Sequence, residues 1–420
     1  MLNNDNDTFD KLLYVFVLAL LILIVYCMLF ASPQCSNTEN MISIPPVKPN
    51  PTYSQTKCDY MLGDTLKKVL DANNIKNVKY DGDVHFVCGY DEIDQEINKI
   101  VPKPNQRIHI VHNADYVSSK DYLWDRLVIT SGIERAKTMM PNTYILSNDN
   151  DRKRITKEYK KGGLFIMKKN IQRQKGLKIT DSLDEILSAP PSYVICQELL
   201  QNPYTINVKK NGIPQGERKT NMRFYVLVVC NKLNMDVYVF NNGFMYYATE
   251  SWKKDSKEDG PNITTGYIDR WIYDGNPLTH NDFKKHLDDK NRSMSISEKN
   301  VIDQGLKLSE IVFGRIYQLL KEVMMSSIGK VCNGAKLSNN ISFQLFGADI
   351  AVNDQLWPQI MELNKGPDMG AKDDKDGLLK RKCTKDMLKI VGIIKNDLEP
   401  NGFIQLINKE NNNMGKVCIV

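Results

Sequence analysis

Residues 343–367, FQLFGADIAVNDQLWPQIMELNKGP, contain a set of side chains suited to holding a hard cation. Two β-type runs, 343–352 and 359–363, flank a polar connection at 353–358 that is rich in turn formers. In an antiparallel pair the summed numbers of facing residues stay constant. If Val352 faces Gln359, Asp349 therefore faces Glu362. Glu362 and Asn364 are two apart and project from the same face of the return strand. Two carboxylates and an amide oxygen would converge there, and these are the oxygen ligands that Mg²⁺ takes. An ordinary hairpin with one solvated face gives the same alternation, so the choice depends on the rest of the chain.

The elements around the hairpin alternate between strand and helix patterns, which points to α/β layers. Residues 164–168 read as a buried strand ending at Lys168, followed by a polar loop with Arg173 and Gly176. A second buried run, 193–200, contains Gln197, Glu198 and Leu199 and stops at Asn202-Pro203, a strong turn signal. Residues 222–229 and 235–240 read as paired strands, and Asn241-Asn242-Gly243 as a turn into a third, 244–249. Residues 295–331 read as helical, with Ile311, Ile316, Leu319, Leu320 and Val323 facing the core, and 378–395 as a last amphipathic helix.

At 420 residues, 42% hydrophobic and 25% charged, the composition is that of a globular protein large enough for two or three subdomains. The slight excess of 56 Lys+Arg over 50 Asp+Glu does not argue for a nucleic-acid partner. Local basicity is stronger. Residues 152–178 hold eleven basic residues against Glu158 alone, which suits either a solvated helix face or attraction of an acidic partner. Nine scattered cysteines, with no C-x-x-C pair, suggest free thiols in a reducing compartment rather than a disulfide or zinc scaffold.

Residues 12–31 are twenty consecutive apolar residues, enough to cross the ~30 Å hydrocarbon core of a membrane as one helix. The expected division is a tail at 1–11, a transmembrane helix at 12–31, and a flexible stalk at 32–59. An N-terminal α/β subdomain at 60–163, a main body at 164–400 and a tail at 401–420 follow. Lys11 before the span, against Lys48 and Lys57 after it, gives a slight lean towards a cytosolic body. The sequon Asn262-Ile263-Thr264 leans the same way, because a lumenal glycan there would crowd the site.

Taken in order, Lys168, the Gly176 loop, Gln197-Glu198-Leu199, Lys219-x-x-x-Arg223, Gly243-x-x-x-x-Ala-Thr-Glu250, Ile263-Thr264, Gly347-x-Asp349 and Glu362-x-Asn364-x-x-Pro367 resemble the tubulin–tyrosine ligase-like family. The resemblance runs over about 118–391, with Ser119-Lys120-Asp121 and Pro141-x-Thr143-Tyr144 as its lead-in. It implies an ATP-grasp fold and an amino-acid ligase that uses ATP and Mg²⁺. Lys168 would then meet the α/β-phosphates, Arg173 and Gly176 would form the lid, and Gln197, Glu198 and Leu199 the adenine hinge, with main-chain groups reading the base. Lys219 and Arg223 would face the transferred phosphoryl group, and Thr264 and Thr265 would orient substrate. Asp349, Glu362 and Asn364 would hold one or two Mg²⁺ ions.

The implied partners are a free amino acid and an acidic protein tail such as tubulin's. The departures from the family fall mainly at the substrate end: Asn221 replaces an aspartate, Tyr246 an arginine, Asn262 a histidine and Thr265 an asparagine. Lys169 replaces a proline, and the glycine-rich loop is reduced to Gly176. Two readings stay open, a membrane-anchored ligase and a nucleotide-binding pseudoenzyme that tethers microtubules or another acidic partner.

Overall fold

In the computed structural model the described residues are 49–56, 63–87, 92–171 and 176–408. Residues 12–31 and Arg173 lie outside them. Among the described residues no helix is long and apolar enough to cross a membrane. The strands of the first half are β1 (Thr52–Gln55), β2 (Lys76–Asn77), β3 (Val84–Phe86), β4 (Arg107–His109), β5 (Thr143–Ile145), β6 (Phe165–Lys169), β7 (Leu177–Thr180) and β8 (Tyr193–Glu198). The second half holds β9 (Thr205–Lys210), β10 (Ile213–Asn231), β11 (Asn234–Ala248), β12 (Thr264–Thr265), β13 (Ile341–Val352), β14 (Pro358–Asn364) and β15 (Phe403–Ile407).

The large mixed sheet is centred on β10, which pairs antiparallel with both β11 and β13. Its side chains alternate between two cores. Phe224, Val226 and Val228 pack on one face with Val312, Ile316 and Leu320 of the helix Leu308–Met325. Tyr225, Leu227 and Val229 pack on the other with Cys383, Met387 and Leu388 of the helix Asp374–Ile390. Burial on both faces is why β10 reads as a nearly continuous apolar run. Strands β1 to β4 are parallel and join this sheet through β4 and β13. A separate antiparallel sheet runs β5-β8-β6-β7.

Several expectations need correction. Strand β1 falls inside the stretch read as a flexible stalk. Residues 241–243 do not form a turn. They lie inside β11, where 240–242 bulge opposite Tyr225 alone and the ladder resumes at Phe224–Gly243. The expected meander of three is therefore a two-stranded ribbon with a bulge, a conformation that local turn propensity cannot distinguish from a hairpin. The helical stretch 295–331 is two helices, Ile296–Asp303 and Leu308–Met325, and Ile311 is only half-buried. Cys230 and Cys332 form a disulfide, their Cα atoms 5.4 Å apart across 102 residues of sequence, whereas Cys196 and Cys383 are free and buried. Cysteine spacing alone could not reveal a pair made by tertiary packing.

Candidate functional site

Strand alternation points Lys219, Asn221 and Arg223 of β10 the same way, into a cavity of about 390 Å³ between the two sheets. Lys219 is buried and Arg223 nearly so. Opposite Arg223 on β13 is Asp349. The guanidinium grips it in a fork, Nε to Oδ1 at 2.5 Å and Nη2 to Oδ2 at 3.0 Å.

Asp349 does face Glu362, though not by the expected route. Val352 pairs with Pro358 and Ala351 with Gln359, one place off the expected register. Met361 then bulges between the pairs Ile350–Ile360 and Asp349–Glu362 and brings the carboxylates opposite each other. Asn364 donates through Nδ2 to Glu362 Oε1 at 2.9 Å, so its carbonyl oxygen stays available beside them.

On the small sheet, Lys168 of β6 is buried and donates to Gln197 Oε1 of β8 at 2.7 Å. Gln197 in turn donates to Thr143 Oγ1 at 2.8 Å. The hinge expectation needs amending. The Glu198 N–H bonds Asn142 O and the Leu199 N–H bonds Leu164 O, both at 2.9 Å. Those two donors hold the sheet together and cannot read a base. The next residue, Leu200, also lines the cavity. The Glu198 side chain points away from Gln197 and accepts from Asn142.

Gly176 has φ +74°, and a Cβ there would lie 2.7 Å from the Lys169 side chain, so glycine is required. Thr264 and Thr265 line the far wall on β12. Asn262 is buried, donating to Ser256 O and Glu258 O, so the sequon cannot present a glycan and carries no topological weight.

Four residues in or beside the cavity have roles that were not assigned from sequence. Lys120, buried at the start of the helix Lys120–Ser131, lies 3.4 Å from Glu362. Its signal was the Ser119-Lys120-Asp121 lead-in. Asn170, just after β6, ties that strand to the helix, accepting from the Lys120 N–H and donating to Asp121. Asp368 and Lys372 reach the cavity from the segment after Pro367, and nothing in their local spacing marks them.

Burial lowers the Lys168 ammonium to about 8, offset by Glu362 and worsened by Lys120. Burial and Lys168 likewise lower Lys219 to about 8. For Glu362 burial acts upward, but Lys120, the Asn364 hydrogen bond and Lys168 outweigh it and hold the carboxyl at about 2. Asp349 is pushed up by burial and by Glu362, against the pull of Arg223. Two facing carboxylates that strain apart in this way suit a divalent cation. Among the described residues no three His, Cys, Asp or Glu side chains cluster. A metal at this pair would therefore complete its shell with Asn364, phosphate oxygens and water, as Mg²⁺ commonly does.

The sequence pattern of the Tubulin-tyrosine ligase family matches residues 98–400. The chain is 25% identical over 268 residues to a Tetrahymena thermophila protein named "Probable beta-tubulin polyglutamylase", covering 60% of this chain and 21% of the relative. It is 22% identical over 322 residues to Tubulin polyglutamylase ttll-5 of Caenorhabditis elegans, covering 68% and 40%. With Tubulin polyglutamylase TTLL7 of Mus musculus it shares 21% over 314 residues, covering 70% and 32%. The chain thus spans less than half the length of these curated relatives.

Proposed function

Because the chain belongs to the Tubulin-tyrosine ligase family, we propose that it is a ligase that uses ATP and Mg²⁺ to join a free amino acid to a carboxylate of an acidic, tubulin-like protein tail. The observation that carries this reading is the facing Asp349–Glu362 pair in one cavity with Arg223, Lys120, Lys168 and Lys219. The polyglutamylase names of its relatives support the substrate class.

Lys168 and Lys219 donate to the nucleotide's phosphates as compact point charges. Asp349, Glu362 and Asn364 would hold Mg²⁺, which when bound would neutralise charge on the nucleotide's phosphates. Arg223, paired with Asp349 in the free protein, faces the transferred phosphoryl and stabilises the charge that develops on it. The acceptor carboxylate attacks the γ-phosphorus and releases ADP, giving an acyl phosphate. The amino acid's amine, having lost a proton, then attacks the acyl carbon. The C–N bond forms, the C–O bond to phosphate breaks, and inorganic phosphate leaves.

The test is ATP-dependent incorporation of labelled amino acids into acidic-tailed proteins, tubulin included. Incorporation of one amino acid supports the ligase. Normal ATP binding with no incorporation of any amino acid favours the second reading, a nucleotide-binding tether, for which Asn221 and Tyr246 at the substrate end speak.

The apolar run 12–31 supports a membrane anchor for the same chain, and its flanking charges support a cytosolic body. The Cys230–Cys332 disulfide speaks for an oxidising compartment instead. Protease protection in sealed membranes decides between the two faces.

A further inference from the structure

We propose that the end of the large sheet opposite the cavity is a docking face for an anionic lipid surface, presented by Tyr80, Val101, Lys76, Lys79, Lys103 and Lys336. This builds on the membrane-anchor reading above and adds which face of the body meets the bilayer.

Strands β1, β3, β4 and β13 all enter the sheet from that end. Their parallel register aligns Tyr53 with Val84, Val84 with Arg107 and Arg107 with Ile341. The loops that precede these strands therefore lie together. Residues 79–83 carry Tyr80, 70% exposed, and residues 101–106 carry Val101, 76% exposed. Gln106 ties the two loops by donating to Gly82 O at 2.7 Å, and Lys103 lies 3.7 Å from Asp81. Lys336, on the approach to β13, donates to Asn98 O, and Lys76 pairs with Thr52 at the start of β1.

A single exposed apolar residue is ordinary. Here two project from adjacent loops, among four exposed lysines. The same loops hold two acids, Asp81 beside Lys103 and Asp83, which accepts from Thr52, so positive charge is in excess. Apolar and aromatic tips rimmed with lysine suit the boundary between acyl chains and anionic headgroups.

The described chain also begins here, at residue 49, three residues before β1. Residues 32–48 separate it from the apolar run 12–31 and span at most ~60 Å even fully extended. An anchor that close keeps the face at high effective concentration over the bilayer, so a few side chains suffice to orient the body.

Two elements measure the distance to the chemistry. Asp349 lies eight residues along β13 from Ile341, about 27 Å at the rise of a strand. The helix Asp374–Ile390 starts just past Lys372, which lines the cavity, and ends where Arg107 Nε donates to Val391 O at 3.1 Å. Its 17 residues cover about 25 Å between the same two ends. Docked in this way, the body holds its cavity about three screening lengths from the headgroups at physiological salt. An acidic acceptor then reaches the site without repulsion from the lipid charge.

The experiment reconstitutes the full-length protein in nanodiscs of phosphatidylcholine, alone or mixed in equal parts with phosphatidylserine, and follows acetylation of each lysine by mass spectrometry. Lys79 and Lys103 should react at least about fivefold more slowly in the anionic discs, the factor that one lysine near such a surface is worth. Lys153 and Lys157 should react at one rate in both. High salt should abolish the difference, and so should the double variant Tyr80→Asp, Val101→Asp, which should melt like the wild type because both side chains are exposed.

Equal rates in the two kinds of disc, or a difference that survives in the double variant, would overturn the proposal. Slow labelling without lipid that deepens with protein concentration would place a second copy on the face and overturn it too. Alkaline extraction separates this proposal from the anchor reading. Protein retained in the bilayer with Lys79 and Lys103 unprotected leaves the anchor and removes the face. Protein that is extracted, yet protected on the anionic discs beforehand, leaves the face and removes the anchor.

Discussion

Lys168 and Lys219 are ammonium groups held in a dry place, each lowered to about 8 by burial. Their unfolded value is near 10.5, so between about pH 8 and 10.5 the unfolded chain binds more protons than the folded one. Stability of the ligand-free protein should therefore rise with pH across that window, and denaturant melts at pH 8 and 10 check the sign. Phosphate oxygens favour the charged lysines, so ATP binding near pH 8 should take up protons. Calorimetry in buffers of different ionisation enthalpy measures that uptake, and proton release on binding would refute the assignment. Lys168 at its strand end and the alternation of Glu362 with Asn364 were legible as local signals, whereas the facing of Asp349 and Glu362 depends on a bulge that the expected register lacked. Lys372 was not legible, since it takes its meaning from a neighbour distant in sequence.

At the scale of elements, two bulges position the chemistry. Met361 shifts the β13–β14 register so that the carboxylates meet, and residues 240–242 bulge so that Gly243 fits against Arg223. A Cβ at Gly243 would lie 2.2 Å from Arg223 O and 2.5 Å from the His280 ring. Gly243→Ala should cost about 2 kcal/mol, the scale of an overpacked core, and should lower ligation more than stability because the displaced peptide belongs to Arg223. Paired melts and activity assays measure the two effects. Gly347→Ala makes a milder comparison. Its Cβ would meet Pro367 at 2.9 Å and the Arg223 side chain at 3.2 Å, so activity should fall about tenfold with little change in melting. Strand identities in this region were readable from apolar runs. The bulges were not, because Asn-Asn-Gly satisfies a turn and a bulge equally well.

For the whole molecule, β10 is the common support. It carries Lys219, Asn221 and Arg223 at one end, and Cys230 ties its other end to Cys332. Closing a loop of 102 residues should contribute about 5 kcal/mol through the unfolded state. Reduction, or Cys332→Ser, should lower the denaturant midpoint without changing affinity for the ATP analogue. An unchanged midpoint would mean that the bond does not constrain the chain. The basic stretch 152–178 was legible as a charged surface, but the structure divides it. Arg154 is engaged with Asp151 and Glu158, and Lys178 with Glu185, while Lys153, Lys157, Lys160 and Lys161 stay exposed. Among the described residues of that stretch, those four lysines present exposed positive charge.

The central claim, that this cavity holds Mg·ATP and drives ligation, is tested most directly by mass spectrometry of acidic-tailed proteins incubated with ATP, Mg²⁺ and amino acids. The wild type should add a residue, and Asp349→Asn and Glu362→Gln should each reduce addition about 100-fold or more while remaining folded, Asp349→Asn melting lower because the Arg223 guanidinium loses its carboxylate. Wild-type addition by either variant, or no addition by the wild type with any amino acid while it still binds ATP, would contradict the claim.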